Sequence, residues 1–156
     1  VIEIAVPSGP VLELRYALVD FNGTLACDGQ LIDGVAERLR ALATHLAIHV
    51  ATGNTTGTAP VVLAALPVEL HVMPQEQQAA AKLALLEALG AQHVVAIGNG
   101  RNDREILTHA ALAIAVIGSE GCAAQTLAAA DIACADIRDA LDVLMTPARL
   151  VATLRG

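Results

Sequence analysis

The sequence predicts an α/β fold, a parallel sheet with helices on both faces, and three observations carry that expectation. Short apolar runs alternate along the chain with helix-forming stretches. The runs are close to continuously apolar, as strands covered on two faces are. Polar, small or acidic residues gather where several of these runs end.

Val1 to Val6 alternates apolar and polar residues, Pro7-Ser8-Gly9-Pro10 makes a turn, and Val11 to Arg15 alternates again. The pattern predicts an N-terminal β-hairpin whose second strand runs on through Tyr16 to Asp20. Asn22-Gly23 and Asp28-Gly29 are turn signals, so residues 23–33 read as a loop or flap. Asp33 is placed to cap a helix over 34–44, with Val35, Leu39, Leu42 and Leu46 at helical spacing. Leu46 to Ala51 is a strand ending at Thr52-Gly53. Residues 58–66 read as a helix that tolerates Pro60 in its first turn, and 68–72 as a strand. Residues 75–89 form a helix closed by Gly90. A strand over 93–97 runs into Gly98-Asn99-Gly100. Helices over 103–110 and 123–129 alternate with strands over 112–117 and 132–134. Helices over 137–144 and 147–154 end the series. The order predicts a three-layer, Rossmann-like single domain over 1–156 with an added N-terminal hairpin.

The chain has 156 residues, enough for one domain to bury a core without disulfides or metals. Apolar residues make up 55% and aromatic residues 1%, so the core is built from Leu, Ile, Val and Ala. Mean hydropathy is high at +0.59, yet the longest clean apolar run, Ala110 to Ile117, is far short of the ~18 residues a spanning helix needs. Glu3 interrupts the apolar start and no basic segment precedes it, so no signal peptide and no membrane contact are expected, and the reading is cytoplasmic. Cys27, Cys122 and Cys134 lack zinc-ligand spacing and read as reduced thiols. The five histidines also lack metal-ligand spacing and read as structural or surface residues. A net charge of −7, with nine cations scattered along the chain, argues against nucleic-acid binding. Lys82 is the single lysine; the other cations are Arg.

In such sheets ligands bind at the carboxyl ends of the strands. The residues predicted there are Asp20, Thr52 and the loop Gly98 to Asp103.

These residues also carry a resemblance. Asp20-Phe21-Asn22-Gly23-Thr24-Leu25 resembles the first motif of the haloacid dehalogenase superfamily, DxDGT followed by Leu or Val. Ala51-Thr52-Gly53-Asn54 resembles the second, Lys82 fits the third, and Gly98-Asn99-Gly100-Arg101-Asn102-Asp103 resembles the fourth, GDGxND. The motifs stand in the right order over residues 16–135, and their flavour is similar to the phosphorylation domain of P-type ATPases. The resemblance implies a Mg²⁺-dependent phosphohydrolase or phosphotransferase acting on a small or macromolecular phosphorylated substrate through a phosphoryl group on Asp20. It places Asp20, Asn22 and Lys82 in catalysis, and Thr52, Gly53 and Lys82 on the phosphoryl oxygens. It puts Asp20, Asn22, Asn99 and Asp103 around the metal. Gly23, Thr24, Gly98, Gly100 and Asn102 give support; apart from the resemblance, Gly98 to Asp103 reads as a helix N-cap loop with Asn102 as the cap.

The physical logic runs beside it. A carboxylate nucleophile splits one hard displacement into two easier ones. Two anions approach only with a cation between them, and fixed donors stabilise the charge on the transferring oxygens.

Two positions depart from the pattern. Asn22 replaces the acid that protonates the leaving group and activates water, and an amide does neither. Asn99 replaces a charged metal ligand with a neutral one. Slow turnover, or a persistent acyl phosphate, is the expected consequence. The alternative is a catalytically impaired phosphate- or metal-binding regulatory module on the same fold. Residues 21–51 and 53–81 leave no room for a cap domain. An open site in an Ala- and Val-rich chain favours closure by a second copy, hence a homo-oligomer.

Overall fold

The computed structural model describes residues 1–156. Six parallel strands make the central sheet, in the order β10-β9-β8-β3-β6-β7. They are β3 (Tyr16–Asp20), β6 (Ala47–Thr52), β7 (Val68–Val72), β8 (Val94–Gly98), β9 (Leu112–Val116) and β10 (Ile132–Cys134). The chain builds outward from β3 through β6 to β7, then returns across the sheet to β8 and builds the other way. The order therefore reverses beside β3, which opens a crevice above its carboxyl end. Helices α1 (Val35–Leu42), α2 (Ala59–Leu63), α3 (Gln78–Leu89), α4 (Arg104–His109), α5 (Ala124–Ala129), α6 (Ile137–Met145) and α7 (Pro147–Leu154) cover it.

Alternation along each strand sorts side chains between two cores. Ala17, Val19, Ile48, Val50, Val95, Ile97 and Ile114 face one side, where they meet Val35, Leu39 and Leu42 of α1 and Ala140, Leu141 and Leu144 of α6. Leu18, Ala51, Ala96, Ala113 and Ala115 face the other, against Leu86, Ile106 and Leu107. The alanines on this second face let α3 and α4 approach the sheet closely.

The structure corrects three expectations. The hairpin strands β1 (Ile2–Ala5) and β2 (Val11–Leu14) form their own antiparallel pair, and the second does not run on into the sheet. Strand β3 has β6 on one side and β8 on the other, so no edge is left for a hairpin partner. The chain breaks at Arg15, whose N–H donates to His93 and whose carbonyl accepts from Ala47. Second, residues 23–33 hold a small hairpin, β4 (Ala26–Cys27) and β5 (Gln30–Leu31). It turns at Asp28 and Gly29, with φ of 52° and 78°, the backbone that Asp-Gly favours in two-residue turns. Third, Asp33 does not cap α1. Gly34 is the cap residue and makes no side-chain bond, while its carbonyl accepts from Arg38 Nη1 at 3.0 Å.

Two histidines are also not the isolated residues that their spacing implied. The parallel register sets His49 opposite Glu69 and Ala51 opposite His71, so His49 and His71 come together on one face of the sheet edge. Burial pushes His49 below the ordinary histidine range, with Glu69 pulling the other way. No helix is long and apolar enough to cross a membrane.

Leu141 is fully buried in the larger core, whereas the Arg38–Asp142 pair between α1 and α6 is one-third exposed. Leu141→Ala is expected to cost about 2–5 kcal/mol in urea denaturation, and Arg38→Ala less than about 1 kcal/mol. Comparable losses would contradict this placing of the core.

Candidate active site

Three strands end at one place. Asp20 closes β3, Thr52 closes β6 and Gly98 closes β8; Asp20 pairs in register with Ala51, and Val19 with Ile97. A buried cation joins them. Lys82, in the second turn of α3 and 1% exposed, places Nζ 2.8 Å from Asp20 Oδ1 and 2.8 Å from Asp103 Oδ1. Its third proton is directed to Asn102 Oδ1 at 3.1 Å. An ammonium has three donors and no acceptor, so all of its capacity is used.

Asp103 is fixed from both sides. Its Oδ2 accepts the backbone N–H of Asn99 at 3.1 Å and of Gly100 at 3.0 Å. The turn after β8 thus wraps around a carboxylate. A Cβ on Gly98 would lie 2.5 Å from that carboxylate, so only glycine permits the approach. Thr126 donates its hydroxyl to the Gly100 carbonyl at 2.7 Å and ties α5 to the same turn. Asn102 is not the cap that the sequence suggested. The turn is capped by the Asp103 carboxylate on the Gly100 N–H, while Asn102 bridges Lys82 and Gln78 Oε1, the latter at 3.1 Å.

Above the ammonium lies a cavity of about 220 Å³ lined only by polar residues and glycine. Asp20, Thr52, Gly53, Asn99 and Gly100 reach it from the strand ends, and Asn22 from the flap. The Asn22 amide is held by the segment after β6: Nδ2 donates to Thr55 Oγ1 at 3.2 Å, and Oδ1 accepts from Thr56 Oγ1 at 3.3 Å. Asn99 Oδ1 accepts from the buried Thr24 hydroxyl at 3.2 Å, and its Nδ2 donates to the Gly121 carbonyl at 3.1 Å. Gly23 lies directly against that amide. The Thr52 hydroxyl accepts from the Asn54 N–H at 3.0 Å, which leaves its own proton free to point elsewhere.

Nine of the twelve residues singled out from sequence thus stand in one connected network of contacts around Asp20, and Asn22, Thr52 and Gly53 join them through the cavity wall. Five of them, Gly23, Thr24, Lys82, Gly98 and Asp103, do not line the cavity. Lys82 lies beneath it, and Asp103, fully buried, has both oxygens committed to the ammonium and the backbone. Among the residues expected around a metal, Asp103 is therefore turned away from the open space. Sequence reading missed Thr55 and Gln78, which both line the cavity. Gln78 lies four residues before Lys82, on the same helix face; Thr55 belongs to a threonine-rich turn whose only signal is composition.

The electrostatics are uneven. Two carboxylates share one ammonium out of water, a net negative cluster. Burial, and then the charge of Asp103, push Asp20 up to about 7 against the pull of Lys82. Burial alone would lower Lys82, but Asp20 and then Asp103 outweigh it and hold the ammonium above its ordinary range. Burial thus brings the titration of the nucleophile candidate, Asp20, toward neutral pH.

No protein-family model matches the chain. Among solved structures, it superposes on the cobalt-bound deoxy-D-mannose-octulosonate 8-phosphate phosphatase of Haemophilus influenzae with a TM-score of 0.72 at 15% identity, over 92% of this chain and 94% of that one. The corresponding phosphatase of Moraxella catarrhalis, in complex with magnesium, phosphate and KDO, gives 0.69 at 20% identity over 92% and 95%. A Legionella pneumophila protein assigned to the HAD superfamily, subfamily III A, gives 0.70 at 19% over 92% and 88%. In sequence, the chain is 47% identical over 79 residues to the uncharacterized protein MJ0073 of Methanocaldococcus jannaschii, covering 48% of this chain and 85% of that protein. The fold is that of the haloacid dehalogenase superfamily without a cap domain, and the chain belongs to the family of MJ0073.

Proposed function

We propose that the protein is a phosphohydrolase or phosphotransferase that carries the phosphoryl group on Asp20 and uses Mg²⁺. The observation that carries this reading is the Lys82 ammonium, buried 2.8 Å from both Asp20 and Asp103, with Asp20 in turn lining a wholly polar cavity. Replacing a buried ion cluster with apolar side chains is often neutral or stabilising. A cluster of net negative charge at a strand-end crevice is therefore better explained by chemistry than by stability.

The cavity suits a phosphoryl group more than a particular alcohol. Its volume and its lack of apolar lining grip a small anion and leave the rest of the substrate, small or macromolecular, outside. The donor set fits a hard cation: the Asp20 carboxylate with oxygens of Asn22 and Asn99, the rest of the shell being water. Asp103 is not needed for it. With one carboxylate contributed, affinity for the cation is weak. When bound, the cation offsets negative charge on Asp20 and on the phosphoryl oxygens, so that the two anions can meet.

The chain's own groups do the remainder. An Asp20 oxygen attacks phosphorus; the new O–P bond forms as the bond to the leaving alcohol breaks. The Thr52 hydroxyl and the Gly53 N–H hold phosphoryl oxygens, and Lys82 reaches one by releasing Asn102, its longest contact. Asn22 has no proton to give, so the leaving oxygen takes one from water. The same lack slows the second step, water attack on the acyl phosphate, which returns Asp20 and releases phosphate. Exposed Val61 on α2 and Val72 on edge strand β7 support the homo-oligomer as part of this reading. The anchoring of Asn22 by Thr55 and Thr56 favours one second reading, a phosphate-responsive module that binds without turnover.

Incubation with Mg²⁺ and acetyl phosphate is expected to place one phosphoryl group per chain on Asp20, read by borohydride trapping and mass spectrometry and absent in Asp20→Asn. Asn22→Asp should raise hydrolysis of p-nitrophenyl phosphate by about 10²–10⁴-fold. No adduct, and no gain in the variant, would leave the binding module. Because Asp20 titrates near 7, its phosphorylation at limiting Mg²⁺ should slow as pH falls through neutrality, with the limb moving lower as Mg²⁺ rises. A flat profile would contradict the assignment.

A further inference from the structure

Strands β6 and β7 bring a second set of ligating groups together, away from the cavity. Their register sets His49 opposite Glu69 and His71 two residues further along β7. Side chains two apart share a face, so all three project to the same side of the sheet edge. His49 Nδ1 lies 3.0 Å from His71 Nε2. The Glu69 carboxylate straddles the pair, Oε2 at 3.6 Å from His49 Nδ1 and Oε1 at 3.6 Å from His71 Nε2. One ligand atom from each residue falls within 4.8 Å of the others.

We propose that His49, Glu69 and His71 form a site for a borderline transition-metal cation of the Zn²⁺ class, distinct from the cation site at Asp20. Ligands about 2.0 Å from a tetrahedral zinc stand about 3.3 Å from one another. The two imidazole nitrogens stand 3.0 Å apart and a different Glu69 oxygen lies 3.6 Å from each, so a turn of the exposed carboxylate is needed to bring one oxygen to that spacing from both, within a set whose single ligand atoms already lie inside 4.8 Å of one another. Two imidazoles and one carboxylate suit such an ion and not Mg²⁺, which takes oxygen. The side chains of His49 and His71 are 11% and 24% exposed, and that of Glu69 is 67% exposed. The imidazoles are thus held in place by packing, with Tyr16 edge-on to His49 at 5.8 Å on the inner side. Solvent reaches the fourth position past Glu69. The bound ion cross-links the outermost strand to its neighbour, and the neighbour is the strand that ends in Thr52.

The chain has one tyrosine and no tryptophan, so its emission reports on Tyr16 beside the site. Chelator-treated full-length protein, titrated with Zn²⁺ by calorimetry, is expected to bind one ion per chain at micromolar concentration or tighter. Co²⁺ should give tetrahedral visible absorption, and Cu²⁺ should quench the tyrosine. Glu69→Gln, at an exposed position, and His71→Ala should each weaken Zn²⁺ by more than the about tenfold that loss of an outer-shell partner costs. Asp20→Asn should leave it unchanged, which separates this site from the proposed catalytic one. Absence of Zn²⁺ binding, binding indifferent to both edge variants, or binding lost in Asp20→Asn would overturn the proposal, with the histidines left as an imidazole pair sharing one proton.

Discussion

The buried contact of Lys82 with Asp20 and Asp103 is the constraint around which the rest of this molecule is arranged. An ammonium taken out of water is tolerated only when its donors are all used, and here three acceptors meet three protons. Each acceptor has its own demand. Asp20 has to sit at the last residue of a central strand. Asp103 has to be wrapped by the N–H groups of its own turn, and that wrapping excludes any side chain at position 98. Asn102 has to be held by Gln78, which ties the turn back to the helix that carries the lysine. Helix α3, strand β3 and the turn after β8 are therefore locked to one another by a few charge-assisted bonds.

The sheet makes this possible. Because the strand order reverses beside β3, the ends of β3, β6 and β8 are neighbours. That leaves a polar hollow with an ion cluster as its floor. The two cores below it differ in texture. The face under α1 and α6 is built of Leu, Ile and Val, and the face under α3 and α4 relies on alanines. On that second face Lys82, in the second turn of α3, reaches the end of strand β3.

Much of this was legible in the residues. The parallel sheet followed from apolar runs alternating with helix formers, and Asp20, Thr52 and the Gly98–Asp103 turn were placed at strand ends by position alone. The single lysine in a chain that otherwise uses arginine was a sound pointer to the ion cluster. Legibility failed where the outcome depended on partners distant in sequence. Nothing local says that β3 is flanked on both sides and cannot pair with the N-terminal hairpin. Nothing local says that Asp103, not Asn102, caps its turn. His49 and His71 look unrelated until the register of β6 and β7 puts them side by side. Thr55 enters the cavity wall because the turn after β6 folds against the flap, a tertiary fact with only a compositional trace, whereas Gln78 enters it from the first turn of α3.

The two asparagines give the site its individual character. Asn22 and Asn99 keep the shape of the residues the superfamily pattern expects and remove their charge and their protons. In the proposed mechanism, that leaves a nucleophile, a cation to orient it and donors for the transferred group, without a group to hasten either departure or hydrolysis. The account stands on Asp20 being the atom that meets phosphorus, with Lys82 beside it. A crystal structure of the protein grown with Mg²⁺ and beryllofluoride tests this most directly. It should show beryllium bonded to an Asp20 carboxylate oxygen, with fluorines against the Thr52 hydroxyl and the Lys82 ammonium. An unmodified Asp20, or a Lys82 ammonium directed away from it, would contradict the account.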